Sequence, residues 1–278
     1  TEIYTLSLHD ALPIYLKIEE MKVLNVVKIG GNVVDNPEAL ERFLIMFNKM
    51  EGPKILIHGG GILASEMSAT LGIKTVMKDG RRVTDAETLK ICTMVYAGWV
   101  NKSIVAALQK IGCDSLGLSG ADAGCVPAKR RSPEPFDFGF VGDVNPAEVN
   151  SGFISSLIGR GITPVFCPVT YEKSGNLLNT NADTMASSIA IAMSHHYYTR
   201  LVYCFEKKGV LYDQANEESV IPLINTEGYN RLKKEGVVTA GMIPKLDNAY
   251  YALEKGVSEV YIKEWTAIAH KAGTMLKL

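Results

Sequence analysis

The residues of this chain best placed to do chemistry are two lysines, one aspartate, a loop arginine and two glycine turns. Lys28 interrupts the apolar run Val23–Ile29 (VLNVVKI) directly before Gly30-Gly31. A second run, Lys54–His58 (KILIH), ends in Gly59-Gly60-Gly61. Glycine lets a ligand approach the backbone closely and leaves N–H groups free. Each turn leads into a helical pattern, whose N-terminus favours anions. Two such turns at strand ends suggest phosphate or carboxylate groups held between them, and Lys28 adds a cation to the same place. A buried lysine needs a partner. Lys245 follows Gly241-Met242-Ile243-Pro244, early in a helix that is apolar on that side. Arg81-Arg82 follows Gly80, and a guanidinium fork suits a carboxylate. Asn179-Thr180-Asn181-Ala182-Asp183 opens another helix. Asn181 can cap it, with Asp183 in its first turn. On the functional reading, Asn179 donates to a ligand and Asp183 orients two ammonium groups. Each feature also has a plainer reading: a snorkelling lysine, a solvated helix lysine, a surface arginine pair, good local helix chemistry.

Several known signatures are absent or weak. Gly59-x-Gly61-x-x-Ala64 fits a dinucleotide fingerprint, but it follows the second strand and lacks a clear acidic partner, since Asp79 sits in a polar loop. There is no G-x-x-x-x-G-K-[ST] loop and no protein-kinase H-R-D/D-F-G set, so phosphoryl transfer here needs other machinery. A nicotinamide-dependent oxidoreductase would leave Lys28 and Lys245 without a role.

The elements that must position these residues alternate along the chain. Strand patterns at Val23–Ile29, Lys54–His58, 113–118, 162–169, 201–205 and 259–262 are separated by helical patterns. The helices are expected near 37–50, 62–71, 84–111, 147–160, 181–193, 225–235 and 241–255. Thr84-x-x-Glu87 has capping-box spacing. Such alternation implies βαβ units, hence an α/β fold: a three-layer αβα sandwich around a mostly parallel, open central sheet. No linker divides the chain, so two lobes sharing one continuous sheet are expected.

Composition narrows the class. The 278 residues are 47% hydrophobic and 21% charged, with 29 basic and 30 acidic residues and a net charge of -1. No basic excess is available to track a phosphate backbone, so no nucleic-acid partner is expected. No apolar run reaches the roughly 18 residues of a spanning helix, so no membrane partner is expected either. Five cysteines without a C-x-x-C pair suit a reduced, cytoplasmic protein. Residues 1–20 (TEIYTLSLHDALPIYLKIEE) have no signal-peptide pattern and look like a non-native extension, with a natural start at Met21. His195-His196 has no third ligand in sight and reads as surface or interface, and no metal-ligating set is expected.

Lys28-x-Gly30-Gly31, His58-Gly59-Gly60-Gly61, Gly80-x-Arg82-Val83-Thr84, Asn179-x-Asn181-Ala182-Asp183 and Gly241-Met242-x-x-Lys245 occur in this order. Together, from about Met21 to Gly273-Thr274-Met275-Leu276, they resemble the amino acid kinase family. The arginine and asparagine motifs resemble its branch acting on N-acylated glutamate. The resemblance implies transfer of the γ-phosphoryl of ATP, with Mg²⁺ carried by the nucleotide, to the side-chain carboxylate of N-acetyl-L-glutamate. N-succinyl-L-glutamate is the alternative substrate. It implies that Gly60, Gly61, Arg82 and Asn179 hold the acylated amino acid, with Arg82 on its α-carboxylate. Lys28 and Lys245 would stabilise the transferring phosphoryl from opposite sides, and Asp183 would orient both. Gly30, Gly31, Glu206, Gly209 and Thr239 would contact the nucleotide. Residues 21–180 would form the acyl-amino-acid and dimerisation lobe, and residues 181–278 the ATP lobe. A homodimer without arginine feedback is expected. One departure stands out: many relatives read Ser/Thr-Asp-Val-x-Gly where this chain has Phe205-Glu206-Lys207-Lys208-Gly209.

Overall fold

The computed structural model describes residues 21–278 except 79, 239–241 and 271. The set-apart segment 1–20 and Thr239 thus lie outside the described residues. Eight strands form one sheet: β1 (Val23–Ile29), β2 (Lys54–His58), β3 (Ser115–Leu118), β4 (Thr163–Phe166), β5 (Tyr198–Phe205), β6 (Leu223–Ile224), β7 (Glu259–Glu264) and β8 (Thr274–Leu276). Their spatial order is β6-β8-β7-β5-β1-β2-β4-β3. All neighbours run parallel except β7 and β8. The parallel strands therefore end on a common edge, where a doubly wound sheet binds its ligands.

Period-two alternation sorts each strand between two cores. On β1, Leu24 and Val26 join one cluster while Val27 and Ile29 join the other. On β5, Leu201, Tyr203 and Phe205 lie with the first cluster and Val202 and Cys204 with the second. The first face is covered by the helices Ala182–Met193 and Ile243–Glu254, the second by Pro37–Lys49 and the long helical stretch Ala86–Lys110. These are the three layers expected. Strands buried on both faces read as near-continuous apolar runs, which is why Lys28 is conspicuous.

Polar side chains start several of the helices, among them the one that carries Asp183. Asn36, Asn150, Asn181 and Asn225 each accept a backbone N–H at a helix start. The Thr84-x-x-Glu87 spacing is not used as a capping box. Asp85 caps the helix instead, accepting from the Thr88 N–H at 2.8 Å, because the Thr84 hydroxyl donates to the Arg82 carbonyl. That helix also contains a π-helical segment, Met94–Val100. By length and composition Ala86–Lys110 could cross a membrane, which the broken apolar run did not suggest. Here it lies on the sheet, with Ile91, Val95, Val100, Ile104 and Leu108 in the core.

Candidate active site

Lys28 is the last side chain of β1 on the first core face, where the helix Ala182–Met193 starts. Its Nζ lies 2.7 Å from Asp183 Oδ1, and both side chains are nearly buried. The approach is off the hydrogen-bonding direction, so Oδ1 has no aligned donor among the described residues. Burial pushes the Asp183 carboxyl up, but the charges of Lys28 and then Lys245 outweigh it and hold the group below its usual value. Asp183 thus contacts one cation, Lys28, and feels a second, Lys245, at longer range. Asn181 fixes its position, accepting the N–H groups of Asp183 and Thr184 at 2.9 and 3.0 Å. Tyr203, opposite Lys28 in register, donates its hydroxyl to the Asp183 carbonyl at 3.2 Å.

Lys245 arrives from a distant stretch of sequence, in the first turn of Ile243–Glu254. Its Nζ stands 4.7 Å from the centroid of the Phe205 ring. Phe205 ends β5, so the residue that departs from the family pattern is the one beneath this lysine. A cation over an aromatic face is stabilised by the ring quadrupole.

Next to this trio, the second glycine turn, Arg82, Tyr96, Val141 and Asn179 border a cavity of about 180 Å³. Gly60 adopts φ +151°, and a Cβ there would come 3.1 Å from the Tyr96 ring. Only glycine combines that backbone with that neighbour. Gly60 then leaves the first amides of the helix Gly61–Thr70 without a side-chain cap. Arg82 is buried and pre-oriented: Nη2 donates to Gly61 O and Ser65 Oγ, both at 2.8 Å, and Nη1 to Thr75 Oγ1 at 3.2 Å. Asn179 Nδ2 donates to Thr84 Oγ1 at 3.0 Å. Thr84 therefore ties the arginine motif to the asparagine motif. His58 is fully buried beneath the turn, and desolvation lowers its pKa to about 4. It is the neutral Nδ1–H tautomer, which donates to Gly59 O (2.7 Å) and accepts from Asn101 Nδ2 (3.0 Å).

The fold thus gathers Lys28, Asp183 and Lys245, with Gly60, Gly61, Arg82 and Asn179 beside them. Gly30 N donates to Cys204 O at 3.0 Å, which places the first glycine turn at the β1–β5 junction. Glu206 follows β5 and is exposed. Gly209 has a packing reason of its own, since a Cβ there would meet Thr274 Oγ1 at 2.7 Å. Sequence reasoning missed Tyr96, Ser65, Thr75 and the supporting role of Thr84. Only Thr84 carried a local signal, as the last residue of its motif.

Fold and site define an α/β protein with two cations and two glycine turns at the carboxyl edge of its sheet. A protein of Streptococcus mutans, smu.665, shares this fold, with a TM-score of 0.75 at 24% identity, covering 92% of this chain and 98% of that one. The model of the amino acid kinase family matches residues 24–264, and the chain belongs to that family. It is 50% identical over 260 residues to the acetylglutamate kinase of Bacteroides fragilis, covering 93% of this chain and 99% of that one. To the acetylglutamate kinase of Cytophaga hutchinsonii it is 51% identical over 243 residues, covering 87% and 91%.

Proposed function

We propose that the protein is an acetylglutamate kinase. It transfers the γ-phosphoryl of ATP to the side-chain carboxylate of N-acetyl-L-glutamate, giving the acyl phosphate and ADP, as a step of arginine biosynthesis. The observation that carries this reading is the Lys28–Asp183 pair, with Lys245 close enough to act on the same carboxylate, beside a cavity holding Arg82 and Asn179.

The attacking carboxylate is already an anion, so no general base is needed. The barrier is the approach of two negative groups, and positioning plus cationic stabilisation lower it. Arg82 pairs with the α-carboxylate through N–H groups its protein partners leave free. Asn179, Gly60 and Gly61 hold the rest of the amino acid. Lys28 and Lys245 neutralise charge on the transferring group, and Asp183 keeps both in place. The amides of Gly30 and Gly31 suit a phosphate beside Lys28, and Glu206, Gly209 and Thr239 complete the nucleotide contacts. Mg²⁺ enters on the nucleotide, where it neutralises phosphate charge. Residues 21–180 serve the acylated amino acid and residues 181–278 the nucleotide.

The helical stretch Ala86–Lys110 exposes Met94 and Trp99, at 57% and 71% of their surface, and a second copy covering them gives the homodimer. All five cysteines are buried free thiols, with Cys125, Cys167 and Cys204 pushed up to about 12 by burial. Inert thiols suit a cytoplasmic enzyme. The test is ADP release with MgATP over N-acetyl-L-glutamate, free L-glutamate, L-aspartate, carbamate and UMP. Turnover with the acylated glutamate alone is expected. Turnover with another panel member instead would refute the substrate assignment.

A further inference from the structure

Asp183 is held by its main chain as well as by its charge, and that second hold comes from a tyrosine the core does not need. Tyr203 lies in β5 and is 1% exposed. Its neighbours on the same face of the strand, Leu201 and Phe205, are apolar. A phenylalanine would fill the same space, and a buried hydroxyl costs desolvation unless it is bonded. Here the hydroxyl donates to the Asp183 carbonyl at 3.2 Å. Ser187 also stands beside the phenol, but its own hydroxyl donates to Thr184 O at 2.9 Å. The Asp183 carbonyl lies inside the helix Ala182–Met193, where it already accepts the N–H four residues on. Tyr203 therefore takes its second lone pair, and the helix does not depend on that bond. Burial and then the Asp183 charge push the phenol well above its ordinary value, so it stays protonated and keeps donating.

The register gives this bond its purpose. Lys28 on β1 and Tyr203 on β5 are paired neighbours, so their side chains rise side by side from one face of the sheet. One meets the Asp183 carboxylate and the other the Asp183 carbonyl. Asn181 holds the N–H of the same residue from within the helix. The carboxylate is the group that organises the cations, and the phenol supplies a hold from the sheet that does not compete for it. We infer that Tyr203 is a positioning residue for the transfer. Its ring is a spacer of fixed length that sets Asp183 above β1 and β5 and, through Asp183, places the two lysines. The inference rests on the kinase reading above and adds to it a residue outside the substrate cavity.

The test is steady-state ADP release with MgATP and the acylated glutamate that the unmodified enzyme turns over. Tyr203→Phe removes one oxygen and keeps the ring. Its kcat should fall about three- to tenfold, the range for one neutral hydrogen bond. KM for the acylated glutamate should change less than kcat, since Arg82 and Asn179 act through other partners. The same substitution is then made in Asp183→Asn. Because Tyr203 acts through Asp183, the factor lost there should be less than half the factor lost in the unmodified enzyme. A general softening of the core would multiply the two losses instead. A fall in kcat of less than threefold overturns the inference. So does a KM change as large as the kcat change, or a factor that stays at half or more in the Asp183→Asn background. A Tyr203→Phe protein that fails to fold overturns it too, because the hydroxyl would then hold the fold rather than the site. No ADP from the unmodified enzyme with any acylated glutamate removes the kinase reading, and this inference with it.

Discussion

Replacing Asp183 by asparagine keeps its shape and removes the charge between the two lysines. At the 2.7 Å separation of Lys28 Nζ and Asp183 Oδ1, the gross attraction is about 6 kcal/mol for an effective dielectric of about 20. Desolvation cancels much of that attraction. Removing one partner of such a pair still costs about 3–5 kcal/mol, because the other charge is left uncompensated. Part of that loss falls on stability. Part falls on catalysis, because Lys28 is no longer anchored and Lys245 loses the carboxylate that acts on it. For a misplaced electrostatic donor a fall in kcat of about 10²–10³ is expected. KM for the acylated glutamate should change little, because Arg82 and Asn179 hold through separate partners. The assay is steady-state ADP release by Asp183→Asn beside the unmodified enzyme, with thermal unfolding of both. A folded variant with kcat within threefold of the original would refute the claim that Asp183 organises the cations.

Other outcomes follow from the same geometry. Gly60→Ala meets both φ +151° and the Tyr96 ring, so it should lose about 1–3 kcal/mol of stability and raise KM for the acylated substrate; denaturant unfolding and kinetics check both. Phe205→Leu removes the ring under Lys245, a contact worth about 0.5–2 kcal/mol, so kcat should fall by up to about thirtyfold with the acyl-substrate KM unchanged. An unchanged kcat would show that the ring does not place the lysine. His58 sets an acid limit. Its folded pKa of about 4 lies below the ordinary 6.5, so the unfolded chain binds the extra proton first and stability falls as pH drops from 6.5 toward 4. The full loss is about 3 kcal/mol, read from urea midpoints at pH 7, 5.5 and 4.5, and it should shrink in His58→Gln.

Much of the site was legible because its residues break local patterns. Lys28 is a charge in an apolar strand, and one glycine pair and one glycine triplet end strands where a tight approach requires them. Asn181 declares itself as a cap, and it does accept two helix N–H groups. The partners of these residues were not legible. Tyr96 sits on a π-helical segment inside what reads as plain helix, and a single extra residue in one turn leaves no compositional trace. Thr84 has the spacing of a helix cap, yet its hydroxyl serves Arg82 and Asn179, 95 positions apart in the case of the latter. The Phe205 departure is visible in the sequence, but the place of its ring under Lys245, 40 positions on, is not.

The sequence by itself determined the class of elements, the mostly parallel sheet and the identity of most residues at its carboxyl edge. Those follow from hydrophobic period, caps and turn chemistry, which act over a few neighbours. The strand order, the face on which each side chain lands and the distances between charges were decided only by tertiary structure. Lys28, Asp183 and Lys245 meet because β1, the helix Ala182–Met193 and the helix Ile243–Glu254 pack on one face of one sheet. That packing is set by burial summed over the whole core, a quantity that no local window of residues contains.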